Sequence, residues 1–402
     1  MGYDLVVKNG TIVDGSGMPR YRADLGVKAG RIATIGRISA PAAETIDAEG
    51  HVVSPGFVDG HTHMDAQVFW DPLGTCSCYH GVTSVVMGNC GFTLAPCRES
   101  EADHVFRNLE RAEDISRQAM LSGIKWRWET FPQFLDVLES LPKGINYSGY
   151  IGHSALRTYV MGERAFHEEA SEDQIKRMAH EVQNAIRAGA IGFSTSRSVN
   201  HQTSDDHPVA SRMASWEEMA TMVRAMGALD AGILEIAGEA TGANRERAAK
   251  YYTALKDLSV ETGRPVTFGM FGTRIAPGAW RPCFELVEQA AREGGRMFIQ
   301  VHSRALNVLL SFETHTPFDK WEVWRDVRAL PLAEQKAALR DPDTKRRLVE
   351  AANRQYNGPE VRGTEARPPD WDWTYIMDTV AGPHRSIAEV ARERGVDPVE
   401  LM

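Results

Sequence analysis

Two histidines, His61 and His63, stand two positions apart just after an apolar, β-type run over residues 52–58. In an extended strand the side chains at i and i+2 point to the same side, so both imidazoles would face one way where the strand ends. Neutral imidazole is the commonest metal ligand in proteins. Two polar loop histidines are the alternative, but the Pro55-Gly56 entry turn and the preceding strand favour half of a divalent-metal site.

A third candidate ligand is Cys90, in the run Gly88-Asn89-Cys90-Gly91 at the end of the next apolar segment. Glycines permit positive φ and a close backbone approach, which would let the cysteine point inward beside the histidines. A thiolate binds Zn²⁺ well, whereas an isolated cysteine is more often an inert buried residue. With nitrogen and sulfur ligands, the sequence predicts Zn²⁺, as one or two ions.

Seven strand-like segments alternate with helical ones and would position these residues. Alternation of this kind predicts a parallel sheet with right-handed crossovers, and polar strand ends favour an α/β, TIM-type (β/α) barrel. Sites in such barrels gather at the carboxyl ends of the strands. The predicted strands are Val52–His61, Thr83–Gly88, Ile145–His153, Ala190–Thr195, Gly232–Ala237, Pro265–Phe271 and Arg296–His302.

Short strand-like runs separated by glycine turns predict a small separate β-domain over residues 1–52. The dipeptide Asn9-Gly10 predicts a hairpin there. Residues 53–402 would form the barrel. Within it, residues at about 312–383 do not follow the alternation of strands and helices. They are interpreted as an insertion that lies over the barrel mouth or at an oligomer contact, and a plain surface insertion is an equal alternative. Thr130, Ser215 and Ser386 begin capping-box patterns at predicted helix starts.

Composition excludes several classes of partner. The 402-residue chain carries a formal net charge of −9, so we expect neither nucleic acid nor an anionic membrane as a partner. It contains no apolar run long enough for a transmembrane span, and no signal peptide precedes the first strand. The chain has 5 cysteines, an odd number, which favours a reducing compartment, the cytoplasm by default.

The run Pro55–His63 resembles the first barrel strand of the amidohydrolase superfamily, and Gly81–Pro96, GVTSVVMGNCGFTLAP, resembles its N-acyl-D-amino-acid deacylase (D-aminoacylase) branch. The resemblance implies that Cys90 takes the ligand place that a carboxylated lysine fills in many relatives. It also implies an N-terminal β-sandwich and metal-dependent hydrolysis of an amide bond in a small-molecule N-acyl-D-amino acid. An arginine would bind the substrate carboxylate.

The same resemblance makes His153 and Arg157, in the segment after strand three, and Ser194, in strand four, candidates for substrate binding. Strand seven ends in His302, which could approach the metal or bind the substrate carboxylate together with Arg304. Guanidinium matches carboxylate bidentately. Structural roles are the alternative: Arg157 could link two loops, and Ser194 could cap a turn.

Other polar residues near the strand ends have less defined roles. Asp65 could hold an imidazole N–H or simply start a turn, and the loop holding His201 and His207 is expected to be solvent-exposed. Strands five and six lack the histidines of the deacylase pattern. Glu235 on strand five is therefore a possible substitute ligand.

The family's catalytic aspartate would lie on an eighth strand beyond residue 402, so the chain is interpreted as a fragment and its catalytic residue as unknown. One alternative is a cyclic-amide hydrolase of the dihydroorotase or hydantoinase kind, which the Gly-Asn-Cys-Gly run disfavours. Another is a catalytically inert scaffold that folds and oligomerises. A homo-oligomer is compatible with each interpretation.

Overall fold

The structure is a computed structural model that describes residues 2–113, 115–205, 207–239, 245–270, 278, 280–302, 312, 316–358, 361, 365 and 368–402. The chain forms two compact units, Met1–Gln300 and Val301–Met402. Each unit has its own hydrophobic core. Within the described ranges, no helix combines the length and the apolar character needed to cross a bilayer.

The first unit begins with a five-stranded sheet in which β1 is central, β2 and β3 follow antiparallel, and β4 and β5 pair parallel with β1. The predicted hairpin at Asn9-Gly10 is wrong. Asn9 instead adopts φ 61° inside one continuous strand, where the register with β2 shifts. Its side-chain amide donates to Asp47, and its backbone N–H donates to Asp24. The strands are β1 Tyr3–Ile12, β2 Tyr21–Lys28, β3 Arg31–Gly36, β4 Ala42–Asp47 and β5 Val52–Val53.

Seven parallel strands then form a curled, half-barrel sheet in sequential order, which confirms the predicted parallel α/β architecture. The first predicted strand, Val52–His61, is divided at Pro55-Gly56, so that its two halves belong to different sheets. A Cβ on Gly56 would lie 2.1 Å from the Thr83 side chain, so only glycine fits at this crossing. The strands are β6 Phe57–Asp59, β7 Val82–Met87, β8 Asn146–Gly152, β9 Gly192–Ser196, β10 Ile233–Ala237, β11 Val266–Gly269 and β12 Met297–Gln300.

Helices connect these strands and cover the sheet. Strand β9 is buried along its whole length, as expected for a parallel strand with both faces covered. The capping box at Thr130 is confirmed, and Ser215 and Ser386 each accept one backbone N–H at their helix starts. The helices are α1 Thr75–Cys78, α2 Ala102–Glu110, α3 Arg117–Gly123, α4 Phe131–Glu139, α5 His153–Met161, α6 Glu172–Ala188, α7 Trp216–Gly227, α8 Arg245–Thr262 and α9 Arg281–Arg292.

The second unit is mostly helical and packs around Phe318, Trp324, Val327 and Leu348. The predicted insertion at about 312–383 belongs to this unit. Its elements are α10 Glu322–Arg328, α11 Leu332–Arg340, α12 Pro342–Ala352, β13 Tyr375–Ile376, β14 Arg385–Ser386, α13 Ile387–Arg394 and α14 Pro398–Leu401.

Candidate metal centre

The three predicted metal ligands lie together at the carboxyl end of the half-barrel sheet. One donor atom from each of His61, His63 and Cys90 lies within 4.8 Å of the other two. The Cys90 Sγ atom is 3.4 Å from His61 Nε2, and the two imidazole rings are 5.3 Å apart. Two imidazoles and a thiol at this spacing match the donor types that Zn²⁺ prefers.

The turn that carries Cys90 has a backbone conformation that brings its thiol toward the histidines. Cys90 has φ 57°, in the left-handed region, between Gly88 at φ 73° and Gly91 at φ 82°. This region is unfavourable for a residue with a side chain, so the surroundings must hold the turn in place.

Three buried side chains hold this turn. Asp65 accepts a hydrogen bond from the Gly88 N–H at 3.0 Å, and Glu235 accepts one from the Cys90 N–H at 2.6 Å. Ser194 accepts from the Gly91 N–H at 3.0 Å and donates to the Gly88 carbonyl. Ser194 was predicted to bind substrate, but its hydroxyl here both donates to and accepts from the backbone of the turn.

Substitution of Ser194 by alanine should therefore weaken the turn. It leaves a buried N–H and a buried carbonyl without partners, and we expect a loss of about 2 kcal/mol in the free energy of unfolding. Zinc affinity should fall by about tenfold or more, because the thiol loses its support. Urea unfolding and zinc titration measure the two effects. Ser198→Ala is the control, and equal behaviour of the two variants would contradict this role.

Several acidic groups surround the three ligands. Glu113 Oε2 is 3.2 Å from His63 Nε2, and Glu235 Oε1 is 3.7 Å from His61 Nδ1. Burial raises the pKa of Glu235 to about 8 and that of Asp65 to about 7. Burial and the nearby carboxylates raise the pKa of Glu113 to about 8. Burial is the largest cause of each shift, and no positively charged group among the described residues offsets it.

Burial shifts the pKa of a histidine ligand downward, in the opposite direction to the carboxyl groups. Burial, together with the charges of His61 and His201, lowers the pKa of His63 to about 3, so the ring is neutral and can bind a cation. Polar atoms of His63 (Nδ1), Asp65 (Oδ1) and Glu235 (Oε1) are buried and have no hydrogen-bond partner among the described residues. A divalent cation would supply the positive charge that these groups lack. The donor set therefore fits a bound metal ion.

His201 and Glu113 extend this cluster, and neither was predicted to do so. The expected solvent exposure of His201 is wrong, since the ring is partly buried, 5.2 Å from the Phe92 ring, with Nδ1 2.7 Å from Ser196 Oγ. Burial, with Arg212 and His61, lowers its pKa to about 4. Glu113 follows helix α2, away from any strand end, so no sequence signal marked it.

His153 and Arg157 were predicted to contact substrate, but the structure places both in a closed, buried cluster around Glu218. The Glu218 carboxylate accepts from His153 Nε2 at 2.9 Å and from Arg157 Nη1 at 2.5 Å. Arg157 Nη2 also donates to the Glu168 carbonyl at 2.6 Å, and His153 Nδ1 lies 2.8 Å from Thr195 Oγ1. These partners favour the structural role that was open for Arg157.

Acid should weaken this cluster. Burial alone would raise the pKa of Glu218, but His153 and Arg157 outweigh it and lower the pKa to about 2. Because the unfolded carboxyl titrates near 4.5, its stabilisation is complete above that pH and is lost as the pH falls toward 2. Burial also lowers the pKa of His153, so the unfolded imidazole takes up its proton first and acts in the same direction.

The measurement is urea unfolding of the wild type and Glu218→Gln between pH 6 and pH 3. We expect the difference in unfolding free energy to shrink by about 2 kcal/mol as the pH falls over this range. A difference that stays constant over this range would contradict the assigned ionisation.

The two remaining predicted substrate-binding residues lie elsewhere. His302 is exposed and belongs to the second unit. Arg304 lies outside the described residues. Substrate binding by either stays a prediction.

The parallel half-barrel and the His-His-Cys cluster at its carboxyl edge define the class of protein. A model of the Amidohydrolase family matches residues 44–402, and the chain belongs to that family. It is similar to a D-aminoacylase from Alcaligenes xylosoxydans xylosoxydans, with 39% identity over 194 residues, 48% of this chain and 37% of the relative. It is also similar to an N-acyl-D-glutamate deacylase from the same organism, with 35% identity over 193 residues, 48% of this chain and 37% of the relative.

A solved D-aminoacylase structure, described in terms of its binuclear metal centre, superposes with a TM-score of 0.61 at 28% identity. The superposition covers 75% of this chain and 59% of that protein. The chain thus spans less than two thirds of the length of these relatives.

Proposed function

We propose that this chain belongs to a metal-dependent hydrolase of amide C–N bonds that deacylates N-acyl-D-amino acids. The observation that carries the proposal is the Cys90 thiol, 3.4 Å from His61 Nε2 and grouped with His63. The thiol sits in the part of the sequence that resembles the D-aminoacylases. Support also comes from the relatives, whose names describe deacylation of N-acyl-D-amino acids.

Zn²⁺, as one or two ions, is the proposed cofactor, held by His61, His63 and Cys90. When bound, such an ion lowers the pKa of its water toward about 7 and polarises the amide carbonyl. Gln300 prepares one of these ligands, since its side-chain oxygen lies 2.8 Å from His61 Nδ1. Accepting a hydrogen bond from Nδ1–H fixes the tautomer that leaves Nε2, on the side of the thiol, free to bind.

Two buried carboxyl groups orient the turn that carries Cys90 and affect the charge of the metal centre. Glu235 holds the Cys90 backbone, and Asp65 holds the start of the same turn, so both fix where the thiol points. A bound cation would favour the ionised form of both groups, whose negative charge would in turn strengthen its binding.

The test is a hydrolysis screen with paired N-acyl-D- and N-acyl-L-amino acids, on zinc-loaded protein from this chain and from any longer gene product that contains it. Faster release of the D-amino acid supports the proposal. A cyclic amide such as hydantoin tests the alternative of a cyclic-amide hydrolase. Turnover of the cyclic amide alone, or no turnover of any substrate by either protein, would reject the deacylase assignment.

Metal content tests the inert-scaffold alternative. Purified protein that retains about one equivalent or more of zinc, and that loses one equivalent in His61→Ala, supports a metalloenzyme. Protein without affinity for zinc supports the scaffold. Localisation in the cytoplasm and assembly into a homo-oligomer stay predictions from the sequence.

A further inference from the structure

We infer that Cys90, Glu113 and His201 form a second cation position that shares the Cys90 thiolate with the position formed by His61 and His63. The inference rests on the proposed function in one respect, that the centre binds a metal. One donor atom from each of the three residues lies within 4.8 Å of the other two. Over the part of the chain that the structure describes, the donors fall into two sets of three that have only Cys90 in common.

The ligands of this second position come from loops outside the sheet strands. Glu113 lies between helices α2 and α3, and His201 lies in the loop that follows β9. Strands β10 and β11 contain no histidine that could reach the centre from its other side. The two loops thus place a carboxylate and an imidazole beside the thiol.

Each loop residue has the orientation and chemistry that a ligand needs. The His201 Nδ1 atom is 2.7 Å from Ser196 Oγ, which leaves Nε2 as the nitrogen for a cation. Phe92 packs against the rings of both His63 and His201 and restricts their rotation. The Glu113 carboxylate lies 3.2 Å from His63 Nε2, so Glu113 already lies at the boundary between the two positions.

The mixture of donors indicates which cations would bind. A thiolate with an imidazole and a carboxylate suits Zn²⁺ and Co²⁺, whereas Mg²⁺ and Ca²⁺ prefer oxygen ligands alone. Three protein ligands also leave at least one coordination place open, as in catalytic rather than structural zinc sites. A thiolate sulfur carries enough lone pairs to bind two cations at once.

The experiment measures zinc stoichiometry by equilibrium dialysis followed by elemental analysis, on the whole chain. The wild type should bind two equivalents, and His201→Ala and Glu113→Gln should each reduce this to one. His61→Ala should also leave one, and Cys90→Ala should leave none. His207→Ala, a half-exposed histidine of the same loop, is the matched control and should keep two.

Cobalt provides a second readout that does not depend on activity. The Co²⁺-loaded His201→Ala variant should keep the sulfur-to-cobalt charge-transfer band from the remaining position, at about half the wild-type intensity, and circular dichroism should confirm folding. One equivalent of zinc in the wild type, whatever His201→Ala does to its affinity, overturns this inference and leaves the proposed function intact. No zinc in the wild type overturns both.

Discussion

Replacement of Cys90 by alanine is expected to reduce zinc affinity by at least about a hundredfold, the largest effect of any single substitution at this centre. Loss of a partner outside the ligand shell alone costs 10- to 100-fold, and Cys90 would be a direct ligand. Its thiol lies 3.4 Å from His61 Nε2, and Cys90 is only 5% exposed. Among the described residues, no other cysteine belongs to the ligand cluster. Isothermal titration of metal-free protein with zinc measures the loss.

Two matched variants separate metal binding from folding. Cys90→Gly removes the same thiol but relieves the positive φ of 57°, so it should lose zinc while the metal-free protein becomes no less stable. Cys97→Ala removes another buried thiol and should keep full zinc binding. Tight zinc binding by Cys90→Gly, or its loss in Cys97→Ala, would show that the assigned ligand is wrong.

Glu218→Ala is expected to lower the free energy of unfolding by about 3–5 kcal/mol, because it leaves the Arg157 charge buried without its counterion. Neither side chain of this pair is more than 1% exposed, and Arg157 donates to Glu218 at 2.5 Å. Loss of the carboxylate also removes the partner of His153 Nε2. A loss of this size is a large fraction of the stability of an ordinary domain.

The neighbouring Glu217 is the matched control, since its side chain is 68% exposed and pairs with Arg224 on the surface. Glu217→Ala should cost about 0–1 kcal/mol. Replacing both Arg157 and Glu218 by methionine should recover part of the loss, since no isolated charge remains. Urea unfolding compares all three, and a Glu218→Ala variant as stable as Glu217→Ala would refute the buried-pair assignment.

The sequence could predict those parts of the centre that local pattern encodes. His61 and His63 alternate at a strand end, and Cys90 lies between two glycines, so strand geometry and turn chemistry were enough to bring them together. The order and parallel pairing of β6–β12 followed from the same alternation of strand and helix. These parts could be predicted because the residues that meet in space are close in sequence or lie on consecutive strands.

The residues that were missed or misjudged depend on tertiary contacts. Glu113 and His201 reach the centre through the paths of loops, which hydrophobic periodicity does not encode. Glu218 fits a helix-capping pattern, yet its carboxylate points into the core toward Arg157. A buried arginine and a substrate-binding arginine look identical in sequence, because burial depends on what packs above them.

The contact between His61 and Gln300 joins the opening and closing strands of the half-barrel, 239 positions apart in the chain. During synthesis, the imidazole acquires this partner only after the ribosome has released residue 300. Translation intermediates that end earlier should therefore hold zinc more loosely than the finished first unit. We therefore expect tight binding of the proposed metal to follow assembly of the sheet rather than to precede it.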